Sequence, residues 1–550
     1  MSSLIVRDVV PLDMVIPPIA SASAHIVRRR KVEILPNAQV DYTFAGNNRI
    51  EFSIQSPTDF IDTMNSYVRL NLVCTGASAV DTTPTRYLST GGVHALFKSI
   101  ELRLPSGVSL ELISEYAKYY AANSYATQSK SHVNHVGNTE GDSFSHRAVR
   151  WDDDDSAELA LLDATGIMAA VSAIAIATGI VTVASMAAGS IKIGDRLQFK
   201  NAAGLILYES TVKTVAATGT FTVFTLVDAP VVDPGACYIF KAPQAAREVA
   251  ANNSVLLTMK PLLQLLSMPE LFPLFLLKGG YQLVMELADP AYALQQDTQL
   301  IPSTADTLGY TISNARFVAE MVQPSEDIIR QYIALYNDDK IVYPYISSRH
   351  YLNTDDGSAG DKSFAHNVNL RSLRYVVGVC ESVLSNTKRA GVLNEDSTYA
   401  NDSVGTFLDG KITSYRWSAG SDSFPQLKVN CSDLMLAEPF AELQKTFGQH
   451  GSVLFEPRFT PSQWRKQNRN LAPVATRKSD ASIRFMMTTR FDRGGLLTGY
   501  DSSVGTMNVD MEVSAANVVG VSASSPRYLH WWYCADTLIS VGNSGIVVRK

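Results

Sequence analysis

The sequence predicts an all-β protein made of two consecutive antiparallel β-sandwiches, with short helices confined to loops and a small β-barrel inserted in the first half. Three observations predict it. Short segments in which apolar and polar residues alternate recur from Ile50 to the closing strands, the pattern of strands that bury one face. Turn residues, among them Gly91-Gly92 and Pro105-Ser106-Gly107, separate those segments. One helical stretch near mid-chain, within Asn314 to Tyr345, splits the pattern into two comparable halves.

That stretch, NARFVAEMVQPSEDIIRQYIALYNDDKIVYPY, opens with a strand pattern from Arg316 to Val322, which Pro324 breaks. Ser325 then N-caps a helix with Glu326 and Asp327 in its first turn, where negative charge meets the positive end of the helix dipole. Ile328, Ile329, Tyr332, Ile333 and Tyr336 recur at three- and four-residue spacing and predict one apolar face. A new strand pattern starts at Ile341, so the second sandwich is expected to open within this stretch. The predicted organisation is an extended arm over 1–30, a first sandwich over 31–297 interrupted by an insert at 157–245, a polar linker over 298–311, and a second sandwich over 312–550.

At 550 residues and 46% hydrophobic, the chain can bury sizeable cores. Its formal net charge of −6 argues against a surface built to hold nucleic acid, which draws affinity from clustered Lys and Arg. Cys74, Cys237, Cys380, Cys431 and Cys534 are far apart and include no CxxC pair, which favours reduced thiols over a disulfide framework or a zinc site. Arg7, Asp8, Pro11, Pro17 and Pro18 deny the N-terminus the apolar core of a secretory signal. The triplets at Asn252, Asn401 and Asn430 are then read as chance matches to a glycosylation site. Ala164 to Ile191 is uncharged and longer than the ~20 residues that span a bilayer. Its Ala, Gly, Ser and Thr content and the lack of a flanking Lys/Arg cluster favour short strands instead, as at Ile174-Ala-Ile176 and Val181-Thr-Val183.

In chain order, the arm ends in Arg28, Arg29, Arg30 and Lys31. This run is either a contact for neighbouring molecules or a solvated run before the first strand. Ile50, Phe52 and Ile54, then Val68, Leu70 and Leu72, then Ile100, Leu102 and Leu104 mark half-buried strands, and a hairpin partner runs from Val108 to Leu112. Ser114 caps a helix whose Tyr116, Tyr119 and Tyr120 share a face that packs on a sheet. Over 157–245 charge thins and small residues dominate, as expected for a self-contained barrel inserted in a loop. The first sandwich resumes with Val255 to Met259, a turn-helix around Leu262 to Leu266, and Leu283, Met285 and Leu287. The second half alternates at Tyr375, Val377 and Val379, at Leu427, Val429 and Cys431, at Ile483, Phe485 and Met487, and at Met507, Val509, Met511 and Val513. A helix over Pro439 to Phe447 stops at Gly448, and the last strands hold Trp531, Trp532 and Tyr533. Periodicity does not distinguish a jelly roll from an immunoglobulin-like or lectin-like sandwich.

The chain has no GxxxxGK[ST] loop and no HExxH, GxSxG or paired-cysteine motif. His132, His135 and His146, with Asp142, form the one loose histidine group, and it reads as a solvated loop. Asp152 to Asp155 lack the Gly and distal Glu of a calcium loop. Paired carboxylates for glycoside hydrolysis meet in space and leave no spacing along a chain. No catalytic residue, metal or cofactor is assigned.

Taken in order, IEFSIQSPTDFIDTMNSYVRLNLV, GGVHALFKSIELRLPSGVSLELISEYAKYY, the mid-chain stretch, NVNLRSLRYVVGVCE, KITSYRWSAGSDSFPQLKVNCSDLMLAEPFAELQKTFG and the strands from Met507 onward resemble the double jelly-roll major capsid proteins of polinton-like viruses, virophages, adenoviruses and tectivirus-type phages. The resemblance covers most of the chain outside 157–245 and rests on the order and spacing of elements. It implies a non-enzymatic capsid protein, a homotrimer forming pseudo-hexagonal capsomers that tile an icosahedral shell. It also implies contacts with neighbouring capsomers and with minor capsid or penton proteins, and a place in the virion after synthesis in host cytoplasm or nucleus. An internal membrane is left open, and no specific nucleic-acid binding is expected. The insert is expected to project outward as a tower. Two other readings are a minor capsid or vertex protein of the same fold, and a carbohydrate-binding or carbohydrate-active sandwich using Tyr116 to Tyr120 or Trp531 to Tyr533 as sugar platforms.

Overall fold

The computed structural model describes, apart from short breaks, residues 26–128, the strands between 169 and 250, and residues 254–296, 309–382, 404–448 and 485–549. Eight strands make the first roll: β1 (Ile26–Ile34), β2 (Arg49–Ile54), β3 (Phe60–Thr75), β4 (Phe97–Arg103), β5 (Ser109–Ser114), β6 (Ser254–Met259), β7 (Tyr281–Leu287) and β8 (Gly309–Pro324). They pair as two sheets in the orders β1-β8-β3-β6 and β2-β7-β4-β5. Eight more make the second: β9 (Ile341–Asp355), β10 (Gly360–His366), β11 (Leu373–Ser382), β12 (Ile412–Ala419), β13 (Asp422–Asn430), β14 (Met486–Arg490), β15 (Met507–Val513) and β16 (Arg527–Gly542). Their sheets run β9-β16-β11-β14 and β10-β15-β12-β13. Adding eight to each strand of the first roll reproduces the second. With strands lettered B to I, both rolls have the B-I-D-G and C-H-E-F order of a jelly roll, which settles the type of sandwich that periodicity left open.

The first core follows the alternation. Ile50, Phe52 and Ile54 on β2 and Leu283, Met285 and Leu287 on β7 are fully buried and face Val68, Leu70, Leu72 and Phe317 of the other sheet; the Phe52 and Phe317 rings lie 6.2 Å apart. In the second roll Met507, Val509, Met511 and Val513 line β15, and Trp417 on β12 meets Trp531 on β16 edge-on at 6.1 Å. Strand β16 breaks the alternation, since both of its faces are buried over most of its length. Gly378 lies opposite Trp531 in the ladder, and a Cβ there would sit 2.2 Å from a carbon of the indole ring. The buried side chains of the two rolls form one continuous cluster.

Inside the insert, six strands close into a barrel in the order Ile206–Thr218, Phe221–Leu226, Ile180–Ala184, Ala169–Ala175, Tyr238–Lys241 and Arg196–Lys200. Val181, Val183, Leu197, Phe199 and Leu226 are buried there. The uncharged Ala164 to Ile191 segment supplies two of these strands, and no helix among the described residues is long and apolar enough to cross a membrane.

Four expectations are corrected. The second roll does not open at 312, and 298–311 is not wholly linker: β8 runs from Gly309 to Pro324 inside the first roll, paired with β3 and with β1. A left-handed residue, Asn314 (φ 49°), and a register shift between Ser313 and Arg316 carry the strand through a bulge that interrupts its alternation. The second roll opens at Ile341. Residues 26–30 are not part of an arm, because Arg28 to Lys31 lie in β1. The connecting helix, α2 (Glu326–Asn337), buries only Tyr332, while Ile333 is 42% exposed; Leu335 packs in its place, and Ser325 sits at the N-cap without a side-chain bond. Leu427, read as an inward residue, is 81% exposed on the edge strand β13.

Candidate functional site: the junction between the two rolls

The helix α1 (Tyr116–Thr127) follows β5 and turns Tyr119 and Tyr125 onto the second roll, while Tyr116 and Tyr120 pack on His94 of the first. Its N-cap is Glu115 in the left-handed region (φ 51°), one residue later than the Ser114 expected from sequence. Tyr119 stacks at a tilt on Trp532 with centroids 5.5 Å apart, and its hydroxyl lies 3.5 Å from the Cys534 thiol. Trp532 donates its indole N–H to the Ser114 carbonyl (3.1 Å), Tyr125 donates to Gly405 O (3.0 Å), and Tyr345 donates to Leu110 O. Phe272 and Tyr343 add a ring contact at 4.9 Å. Each contact joins one roll to the other, so burying aromatic area and satisfying its polar ends both favour the docked arrangement.

A charged pair lies within this apolar junction. Lys118 on α1 donates to Glu381 on β11 at 2.6 Å, with Glu115 3.7 Å away. Both main partners are nearly inaccessible, at 8% and 4% side-chain exposure. His530 on β16 approaches Lys118 through Nε2 at 3.4 Å, and its Nδ1 lies 3.1 Å from Nε2 of His350 on β9. This fits neutral rings in which His530 donates from Nε2 to the Glu381 carboxylate, 3.4 Å away, and accepts at Nδ1 from His350. Burial pushes the Glu381 carboxyl up, but the charge of Lys118 and hydrogen bonds from His530 and Lys118 outweigh it and hold the pKa at about 2. Burial pulls Lys118 down, and the Glu381 and Glu115 carboxylates more than restore it. Burial, then the neighbouring His530 and Lys118, lower His350 to about 3. Lys118 and Glu381 thus hold each other ionised near neutral pH, an arrangement suited to locking two bodies together. A cleft of about 360 Å³, lined in part by Lys98, Glu115, Lys118, Tyr528 and His530, opens beside the pair.

These shifts set a pH dependence. The unfolded chain binds protons on His350 from its ordinary 6.5 downward, the folded chain only near 3, and burial holds His366 similarly at about 4. Their contribution to stability is therefore whole above pH 6.5 and is lost as pH falls toward 3, and Glu381 adds a loss in the same direction below its ordinary 4.5. The thermal midpoint should fall steadily from pH 7 to pH 4, with a shallower slope in His350→Gln; an equal slope in that variant would remove His350 from the argument.

Of the residues singled out in the sequence, Tyr116, Tyr119, Tyr120, Trp531, Trp532 and Tyr533 are all buried. A sugar cannot stack on a covered ring, so the carbohydrate reading loses its platforms. Within Arg28 to Lys31, Arg30 pairs with the buried Asp59 and Lys31 donates to Tyr67 OH at 2.7 Å, while Arg28 and Arg29 are exposed. His132, His135, His146, Asp142, Asp152 to Asp155 and Cys237 lie outside the described residues; Cys74, Cys380, Cys431 and Cys534 are buried. Sequence reasoning missed the Lys118–Glu381 pair, whose partners are 263 residues apart. The readable signal was a lysine amid the buried tyrosines of YAKYY.

No family model matches this sequence, and no curated protein matches it. Among solved structures, the chain is similar to one from the Sputnik virophage solved by cryo-EM (TM-score 0.49, 11% identity, covering 95% of this chain and 88% of that one). It is similar to the Faustovirus major capsid protein (TM-score 0.49, 11% identity, 94% and 90% covered). It is also similar to the mavirus major capsid protein (TM-score 0.40, 11% identity, 97% and 92% covered). What classifies the chain is its own strand order, B-I-D-G over C-H-E-F twice in succession, and by that order it is a double jelly-roll protein.

Proposed function

We propose that this chain is a viral major capsid protein, a homotrimer whose six jelly rolls form a pseudo-hexagonal capsomer that tiles an icosahedral shell. The observation that carries the reading is the duplicated strand order, with the two rolls docked through a buried junction. Such a subunit presents two equivalent bodies in fixed relation, and its work is done by faces and edges. In this reading the barrel at 157–245 projects outward, and the exposed Arg28 and Arg29 at the start of β1 contact neighbouring capsomers and minor capsid or penton proteins. The protein then resides in the virion.

Light scattering of the purified chain should give about three chain masses, as a closed ring of three requires, and cryo-EM of particles should place the barrel outside. A strictly monomeric protein at high concentration would reject the reading. The connecting helix supplies a second check. Tyr332 packs edge-on against Phe60 at 4.9 Å, and Asn543 N–H bonds to Tyr336 O, so α2 is tied to both rolls. Deleting Ser325 to Tyr336 should abolish soluble trimers, and trimers that survive the deletion would show the helix to be dispensable.

A further inference from the structure

We infer that the outer face of the β1-β8-β3-β6 sheet is the docking surface for the second roll of another copy of this chain. The inference rests on the capsid reading and names the surfaces that meet. In the second roll, Trp531 points inward to Trp417, so His530, Trp532 and Cys534 point outward, and they are buried because α1 lies against them. Strand β5 and helix α1 of the first roll thus cover the outer face of the second roll's B-I-D-G sheet.

The matching face of the first roll is covered at one end, where Val322 and Phe60 lie buried beside Tyr332 of α2, and among the described residues its remainder carries solvent-exposed side chains. Phe317 points inward to Phe52, so Arg316 points outward, in line with Arg69 on β3. Arg29, Lys31 and Glu33 share that face on β1, Glu320 on β8, Tyr67 and Asn71 on β3, and Leu256 on β6, where it is 59% exposed. The chain also carries a second set of covering elements. Helix α3 (Ala437–Thr446) follows β13 just as α1 follows β5, and β13 presents Leu427 at 81% exposure. One roll's face is covered and the other's is partly open; the β5–α1 edge is engaged by the other roll, while α3 buries Phe440 and Leu443 against its own roll and leaves Glu438 and Leu427 of its edge exposed.

Repeating the contact between chains pairs these two leftovers. The interface is head-to-tail, since the face on one copy differs from the edge on the next, and head-to-tail contacts form rings when the rotation closes. Charge agrees with this choice of occupant. Arg29, Lys31, Arg69 and Arg316 outnumber Glu33 and Glu320 on the open face, with Glu33 held between Arg69 and Arg316. The opposing edge offers Asp422 and the exposed Glu438, while Lys428 there is paired with Asp361 and Lys445 of α3 with Glu442.

The test uses the full chain and two surface substitutions. Leu256→Asp breaks the open face, Leu427→Asp breaks the edge, and Arg69→Glu is a second variant of the face should Leu256→Asp fold poorly by circular dichroism. Wild type is expected near three chain masses and each single variant at one, a loss of about threefold in mass. Mixed in equal amounts, the Leu256→Asp and Leu427→Asp chains should form a one-to-one heterodimer, because one intact face still meets one intact edge. Trimers unchanged in both variants, with wild type trimeric, would overturn the surface assignment and leave the capsid reading standing. A mixture that stays monomeric would overturn the head-to-tail pairing. A monomeric wild type would reject the capsid reading and this inference with it.

Discussion

Glu381→Gln is expected to destabilise the protein by about 3–5 kcal/mol, the range for removing one partner of a buried ion pair. The loss comes from what is left behind. Lys118 would remain charged within the aromatic junction, its principal counter-ion replaced by a neutral amide and Glu115 alone at 3.7 Å. His530 would lose a carboxylate 3.4 Å from its Nε2. Removing both charges together gives the opposite expectation. A Lys118→Met and Glu381→Leu double variant should recover most of the stability, since an apolar pair of similar volume desolvates at little cost. Chemical denaturation of the three proteins reads both outcomes. A loss below about 1 kcal/mol for Glu381→Gln would mean that water reaches the pair and that the junction is wet.

Trp531→Ala is the second large effect, expected at about 3–5 kcal/mol as for other buried tryptophans. The indole is fully buried between Trp417, at 6.1 Å, and the backbone of Gly378. No neighbouring side chain fills the space below it, because position 378 has none. The reverse change tests the same packing: in Gly378→Ala the new methyl would lie 2.2 and 2.4 Å from two ring carbons, so the ring or strand β11 must shift, at about 1–3 kcal/mol. Combining Gly378→Ala with Trp531→Leu should cost less than the sum of the single changes, because the smaller side chain relieves the clash. Strict additivity in the double variant would show that the two positions do not share a contact.

Legibility differed between elements for physical reasons. The strands β2, β3, β4, β7 and β15 were readable because one face is buried and the other wet, so burial writes itself into alternate residues. Strand β16 carries no such record, since α1 covers the face that solvent would otherwise wet. Strand β8 was misread as the start of the second sandwich because a bulge at Asn314 breaks its period, and the true boundary is the helix that follows. The run Arg28 to Lys31 read as a single basic cluster. In β1 its members alternate, with Arg30 turned to Asp59 and Lys31 turned to Tyr67, so side-chain direction splits what composition joins.

By itself the sequence determined the all-β class, the presence of two sandwiches and the helical stretch between the halves. Those follow from local rules, the period of burial and the chemistry of turns, which act over a few residues. The resemblance pointed to jelly rolls and the strand order bears it out; only the tertiary structure decided which strand ends the first roll and that Lys118 and Glu381 lock the two together. Strand order and a pair of charges 263 residues apart depend on which segments meet in space, and no local pattern along the chain encodes that meeting.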